Sequence, residues 1–240
     1  MKIVLTCEHG GNIIPKEYES LFSNQEAILN SHRGYDLGAL DVFKTLEPIA
    51  DFSKHSITSR LLIELNRSLH HKCLFSEFTQ NLSKPEKNKI INQFYKPYRD
   101  GIEAEISKYI KQGETVVHIS VHSFTPVWKG LQRSVEIGLL YDSRIQKEKQ
   151  FSKALKLELI NQSNYKIRLN QPYLGKSDGF TTYLRKQFPI NYIGVEIEIN
   201  QKFYQNNKMP HILKQTILEC LGSFKQKHRE YNSEITNKIF

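Results

Sequence analysis

Two kinds of apolar spacing take turns along the chain. Short runs, continuous or alternating, predict strands at Lys2–Cys7, Leu61–Leu65, Thr115–Val121, Glu136–Tyr141, Lys166–Leu169 and Ile193–Ile199. Several are apolar on both faces, as strands inside a sheet covered on both sides should be. Longer stretches with helical spacing predict helices at Asp36–Leu46, from Pro85 to about Lys111, at Arg144–Asn161, Gly179–Lys186 and Met209–Lys227. In the first of these Leu37, Leu40, Phe43 and Leu46 form one stripe. The long one contains Pro97 and Gly101, so it should kink or split near Tyr95-Lys96-Pro97-Tyr98. Gly113 then serves as its C-terminal stop. Strands alternating with helices describe a layered α/β fold. With no repeat, low-complexity tract or long linker, residues 1–240 read as a single domain.

Composition narrows the class. At 240 residues, 39% of them hydrophobic and 25% charged, the chain can bury a large core without a disulfide or metal staple, and it is not of disordered composition. No apolar run approaches the ~18 residues of a membrane span. Cys7, Cys73 and Cys220 form no CxxC and no pairable framework, which suits a reducing compartment. The apolar start Met1–Cys7 lacks the longer core and cleavage site of a signal peptide, so the expected location is the cytoplasm. The net charge of +9 invites a nucleic-acid reading, but the lysines are dispersed. The run Lys225-Gln226-Lys227-His228-Arg229 reads as an ordinary solvated helix end.

The residues able to do chemistry gather at predicted strand ends, where open α/β sheets place their sites. Cys7-Glu8-His9-Gly10-Gly11-Asn12 follows the first strand, and its glycines permit a sharp turn that leaves His9 open to a ligand. A phosphate cradle would need more of the P-loop pattern, and no Gly-Lys-Ser/Thr follows. In Val117-His118-Ile119-Ser120-Val121-His122-Ser123-Phe124, alternation puts His118, Ser120 and His122 on one face. His122, where the strand gives out, is either a site residue or a hydrogen-bonded structural histidine; His118, deeper in the strand, reads as structural. Ser59-Arg60 through Asn66-Arg67 brackets an apolar run with two arginines, whose planar forks suit a carboxylate or simply face solvent. Glu196, Glu198 and Asn200 alternate with Val195, Ile197 and Ile199. Two carboxylates on one face of such a strand repel each other and are costly unless a cation or catalytic role offsets them, or the face is exposed.

In this order along the chain, the His9 loop, the Arg60 to Arg67 segment, the Ile119-Ser120-Val121-His122-Ser123-Phe124 run and the Glu198-Ile199-Asn200 ending resemble the N-formylglutamate amidohydrolase family, a branch of the zinc carboxypeptidase-like superfamily. The resemblance implies a three-layer αβα fold with a mixed, mostly parallel central sheet (phosphorylase/hydrolase-like). It also implies residue roles. His9 and His122 match histidine ligands of one Zn2+ per chain, and Glu198 matches the glutamate that activates water. Asn66 and Arg67 match the pair that holds the substrate carboxylate, and Arg60 the arginine that polarises the scissile carbonyl.

The chain departs from the carboxypeptidase pattern at one ligand. Asn12 stands three residues after His9, where those enzymes have glutamate, and it is a poor zinc ligand. Catalytic zinc usually takes three protein ligands and one water, so a carboxylate is still expected. Asp36 is the preferred substitute, its alternative being an N-cap of the following helix. Glu8 is the backup, although alternation points it away from His9. Arg133 could hold a second substrate carboxylate. Glu64 replaces a more usual aspartate before Asn-Arg.

The implied activity is hydrolysis of a small, acidic N-acyl amino acid, by family default N-formyl-L-glutamate. Alternatives are a peptide or cell-wall fragment hydrolase on the same scaffold, and a non-catalytic binding module acting through the basic surface.

Overall fold

In the computed structural model, residues 1–239 are described, with side chains described as far as Lys227. The strands are β1 (Lys2–Cys7), β2 (Phe52–His55), β3 (Val116–Phe124), β4 (Val127–Trp128), β5 (Leu131–Gln132), β6 (Ile137–Leu140), β7 (Ile167–Leu169) and β8 (Tyr192–Asn200). The helices are α1 (Glu26–Leu29), α2 (Ala39–Leu46), α3 (Lys84–Ile90), α4 (Lys96–Lys111), α5 (Gln146–Gln162), α6 (Phe180–Gln187) and α7 (His211–Ile239). Six strands form one sheet in the order β2-β1-β3-β8-β6-β7, while β4 and β5 make a separate hairpin. Only the β6–β8 pairing is antiparallel within the six-stranded sheet, which makes it mixed but mostly parallel.

Helices cover both faces. Alternate residues of the central strands, among them Leu5, Ile119, Val121, Val195 and Ile197, bury against α2, α5 and α7. The opposite face packs under α3, α4, α6 and the loops between β2 and α3, with Val4, Val116 and Tyr192 at its lower end. Further along that second face the side chains become polar: Thr6, His118, Ser120, His122 and Glu198 are all buried there. The register places His118 beside Gly194, Ser120 beside Glu196 and His122 beside Glu198. Buried polar groups need partners, so this polar lane marks where the fold does something other than pack.

Several expectations need correction. Leu61–Leu65 is not a strand. Its apolar side chains are buried in the core of the second face, but its backbone turns and is tied by side chains, with Thr79 Oγ1 donating to Leu62 O at 3.1 Å. Continuous apolarity signals burial, and a buried turn produces it as readily as a strand. The edge strand β2, not among the predicted strands, pairs with β1 from Val4↔Phe52 to Cys7↔His55. Helix α2 starts at Ala39 rather than Asp36, because Gly38 (φ +79°) turns the chain just before it. The long segment breaks where its sequence requires: α3 gives way to a wide π turn at Ile91–Tyr95, and α4 restarts with Pro97 in its first turn.

In the charged run of α7, Lys225 is largely buried and pairs with Asp51 at 2.7 Å, whereas Lys227 is exposed. The side chains of His228 and Arg229 lie outside the described residues. Among the described residues no helix is long and apolar enough to cross a membrane.

Candidate active site

A cavity of about 270 Å³ opens at the C-terminal ends of β1, β3 and β8. His9 enters from the loop after β1, His122 from the end of β3, and Asp36 from the turn before α2. Asp36 does not cap the helix, since Gly38 takes that position. Its Oδ2 instead lies 2.9 Å from His122 Nδ1 and 3.3 Å from His9 Nδ1. The two imidazole centroids are 5.1 Å apart. One ligand atom from each of His9, Asp36 and His122 lies within 4.8 Å of the others, and all three residues are buried.

Whether a divalent ion suits this trio is decided by the donor set. Ligand atoms on tetrahedral zinc stand about 3.4 Å apart, given bonds of about 2.1 Å, close to the separations from Asp36 Oδ2. Metal-binding histidines give their second nitrogen to an outer acceptor, which fixes the tautomer. Both histidines have such an acceptor. His9 Nε2 meets Glu64 Oε1, and His122 Nε2 lies 3.2 Å from Glu8 Oε2 and 2.8 Å from Ser120 Oγ. Each ring therefore turns Nδ1 towards Asp36. The residues fit a divalent cation.

The electrostatics agree. Burial disfavours the charged forms of Asp36 and Glu64, yet His9 and Arg60 (and His122 for Asp36) hold both carboxyls well below the usual range. Burial likewise opposes charge on His122, but Asp36 and Glu8 outweigh it and raise the imidazole well above its ordinary value. The buried carboxylates are thus balanced by positive charge, supplied here by His9, His122 and Arg60. Glu198 differs. Burial is the main cause that lifts its pKa to about 8, Asp36 and Glu196 adding to it against the pull of His122 and Arg60. Its Oε2 is buried without a hydrogen-bond partner. A carboxylate on the cavity wall with an orphaned oxygen is placed to take up and release a proton.

The remaining sequence candidates fall in different places. Arg60 lies at the cavity but is engaged, donating to Asp36 Oδ1 at 3.1 Å and to Glu64 through Nε at 2.9 Å. Asn66 and Arg67 also line the cavity; Asn66 Oδ1 accepts from Phe180 N at 2.7 Å, and Arg67 donates to the Asp178 carbonyl. Arg133 is not among the lining residues. It stands at the rim, where Nη1 donates to Tyr173 OH at 3.1 Å and the guanidinium lies against Phe124, Trp128 and Tyr173. Glu8 sits behind His122, held by Ser120 Oγ at 2.6 Å and Tyr98 OH at 3.1 Å. Asn12 points elsewhere, to Asn30. His118 is sealed lower in the sheet between Thr6 Oγ1 at 2.8 Å and Tyr192 OH at 2.7 Å.

Sequence reasoning undervalued Glu64, which orients His9 and binds Arg60. It also missed the wall formed by Tyr173, Leu174, Ser177 and Asp178. The available signal was position, a glycine-containing loop following a strand and preceding a helix. Gly138 lets that wall close in: a Cβ there would stand 2.0 Å from Gln171 O and 3.3 Å from Glu198 Cβ.

Comparison with solved structures defines the class first. The fold is that of a gene product from Agrobacterium tumefaciens, 25% identical, with a TM-score of 0.75 over 93% of this chain and 92% of that one. It is also the fold of an N-formylglutamate amidohydrolase from Ralstonia eutropha, 16% identical, with a TM-score of 0.72 over 96% of this chain and 94% of that one. A search of curated proteins finds no match. The sequence profile of N-formylglutamate amidohydrolase matches residues 1–205, and the chain belongs to that family.

Proposed function

We propose that this protein hydrolyses the amide bond of a small N-acyl amino acid with the help of one zinc ion. N-formyl-L-glutamate, giving formate and L-glutamate, is the first substrate to test. One observation carries this reading: His9, Asp36 and His122 converge beside a buried Glu198 with a free oxygen, on the wall of one cavity. His9 Nδ1, His122 Nδ1 and an Asp36 carboxylate oxygen would hold the ion. When bound, it supplies Lewis acidity that acidifies a water and polarises the amide carbonyl.

Glu198 removes a proton from the attacking water and delivers it to the leaving nitrogen as the C–N bond breaks. The hydroxyl oxygen ends on the acyl carbon and the proton on the amine. Acid–base assistance of this kind is worth roughly 10²–10⁴-fold. Arg60 spends one N–H from each nitrogen on Asp36 or Glu64. Its further N–H groups are available to a developing oxyanion. Asn66 and Arg67 anchor the substrate carboxylate, so that binding away from the scissile bond orients it. Arg133, joined to the cavity wall through Tyr173, is the residue for a second carboxylate that reaches the rim. The small cavity, below the ~300 Å³ at which small-molecule sites usually begin, favours an amino-acid-sized substrate over a peptide.

The test is metal analysis of the purified protein, followed by formate release from N-formyl-L-glutamate and a panel of N-acyl amino acids, with and without chelator. The expected result is zinc near one per chain and formate release that chelator abolishes and zinc restores. Amino-acid release from peptides, with none from N-formyl compounds, would overturn the substrate assignment. Undiminished turnover in chelator would overturn the metal.

A further inference from the structure

Arg99, on α4, is 3% exposed, and among the described residues no carboxylate pairs with it. Its guanidinium carbon lies 4.3 Å from the ring centre of Phe180, 4.7 Å from Tyr183 and 4.8 Å from Tyr95. Its Nη1 donates to two carbonyls, Leu65 O at 3.1 Å and Arg67 O at 3.0 Å. Tyr95 OH donates to the same Arg67 oxygen at 2.7 Å. The Asn66 side chain, between those carbonyls in sequence, is fixed by the backbone N–H of Phe180, whose ring stacks on the same guanidinium.

Burying a cation without a counter-charge is costly, and α4 has no need of it, since Ile102 and Ile106 already fill the core beneath that helix. The segment that Arg99 grips is neither helix nor strand, so its carbonyls find no ladder partners. An arginine offers what that segment lacks: a planar donor that stacks between rings and reaches two oxygens at once.

We infer that Arg99 is a positioning residue for substrate binding: with Tyr95, it holds the Leu65–Arg67 backbone so that Asn66 and Arg67 face the cavity. The inference rests on the reading of Asn66 and Arg67 as the carboxylate anchor. Arg99 touches neither Glu198 nor the His9–Asp36–His122 cluster through any hydrogen bond or ion pair among the described residues. The segment it holds does reach that cluster, Asn66 Nδ2 lying 3.4 Å from His122 Nε2 and Asn66 N–H donating to Glu64 Oε1 at 3.0 Å, so loss of Arg99 acts first on substrate affinity and only secondarily on the chemical step.

The experiment compares Arg99→Met, Arg99→Lys, Tyr95→Phe and Arg67→Ala, using the N-formyl amino acid that the wild type turns over fastest. KM, kcat, zinc content and thermal midpoint are measured for each. Expected are a KM raised about tenfold or more in Arg99→Met and about threefold in Tyr95→Phe, with kcat within about threefold of wild type. Zinc content stays unchanged, and Arg99→Lys falls between Arg99→Met and wild type. Tyr95→Phe removes one hydroxyl and keeps the ring, so it reports even where Arg99→Met fails to fold. If Arg67→Ala raises KM while folded Arg99→Met and Tyr95→Phe keep a wild-type KM, the positioning role is wrong and the anchor stands. Loss of kcat and zinc together in Tyr95→Phe would also overturn it, as a general structural role predicts. If Arg67→Ala leaves KM unchanged, the anchor reading fails and this inference with it.

Discussion

His118 and His122 share one face of β3, both sealed from solvent, yet their surroundings are opposite in kind. The lower ring sits between hydroxyls, Thr6 on one side and Tyr192 on the other, with Phe180 at its edge. Burial depresses its pKa to about 4; the charges of Arg185 and His122 add to this, and Glu8 opposes it. The upper ring sits between carboxylates, Asp36 and Glu8, and is driven the other way. Burial is common to both, so burial alone does not make a site. The difference lies in which loops arrive. Glu8 and Asp36 come from segments that leave the sheet at the C-terminal ends of its parallel strands, and those loops reach only the top of β3.

The largest expected effect follows from removing the upper ring. On the proposed function, His122→Ala should lose zinc and at least about three orders of magnitude of turnover, because a proposed ligand and the partner of two buried carboxylates go together. Stoichiometric zinc in that variant would erase the distinction between the two histidines. Glu198→Gln should keep its zinc while kcat falls roughly 10²–10⁴-fold, since shape is retained and the exchangeable proton is not. Equal turnover in the two forms would remove Glu198 from the chemistry.

The lower ring makes a prediction about stability. With a folded pKa of about 4 against an ordinary 6.5, the unfolded chain takes up a proton at this residue where the folded one does not. Stability should therefore fall as pH drops from about 6.5 to about 4, by up to about 3 kcal/mol, and the loss should be complete below that range. Denaturant midpoints across that window for wild type and His118→Gln should show a flatter dependence in the variant; parallel curves would refute the assignment. The smallest effect is expected from Tyr192→Phe, which removes the hydroxyl on His118 Nδ1. It should cost about 1 kcal/mol in denaturant unfolding and leave kcat untouched. A drop in turnover there would mean that the lower ring is coupled to the chemistry after all.

The parts of this design visible in the sequence were those written in local order. Alternation in His118-Ile119-Ser120-Val121-His122 reveals both the strand and the shared face. Pro97 reveals the break before α4. Leu61–Leu65 misled because a buried turn and a buried strand carry the same apolar residues. Glu64, inside that run, was correspondingly undervalued: its meeting with His9 depends on how the turn folds back. Alternation from β1 points Glu8 away from His9, and Glu8 meets Ser120 and His122 on the face it shares with Thr6; that it backs His122 depends on the approach of β3, which local spacing does not encode.

Sequence alone determined the layered α/β class, the face of β3 that carries its polar residues, and the membership of His9, Arg60, Asn66, Arg67, His122 and Glu198 in one candidate set. The first two follow from periodicities of two and 3.6 residues, and the last from the resemblance of the ordered short motifs to the amidohydrolase family. Tertiary structure decided that Asp36, and neither Asn12 nor Glu8, stands between the imidazoles, that Glu64 and Glu8 back them, and that Arg133 stays at the rim. These are distances between residues far apart along the chain. They are set by how loops close over the sheet, and no local spacing encodes them.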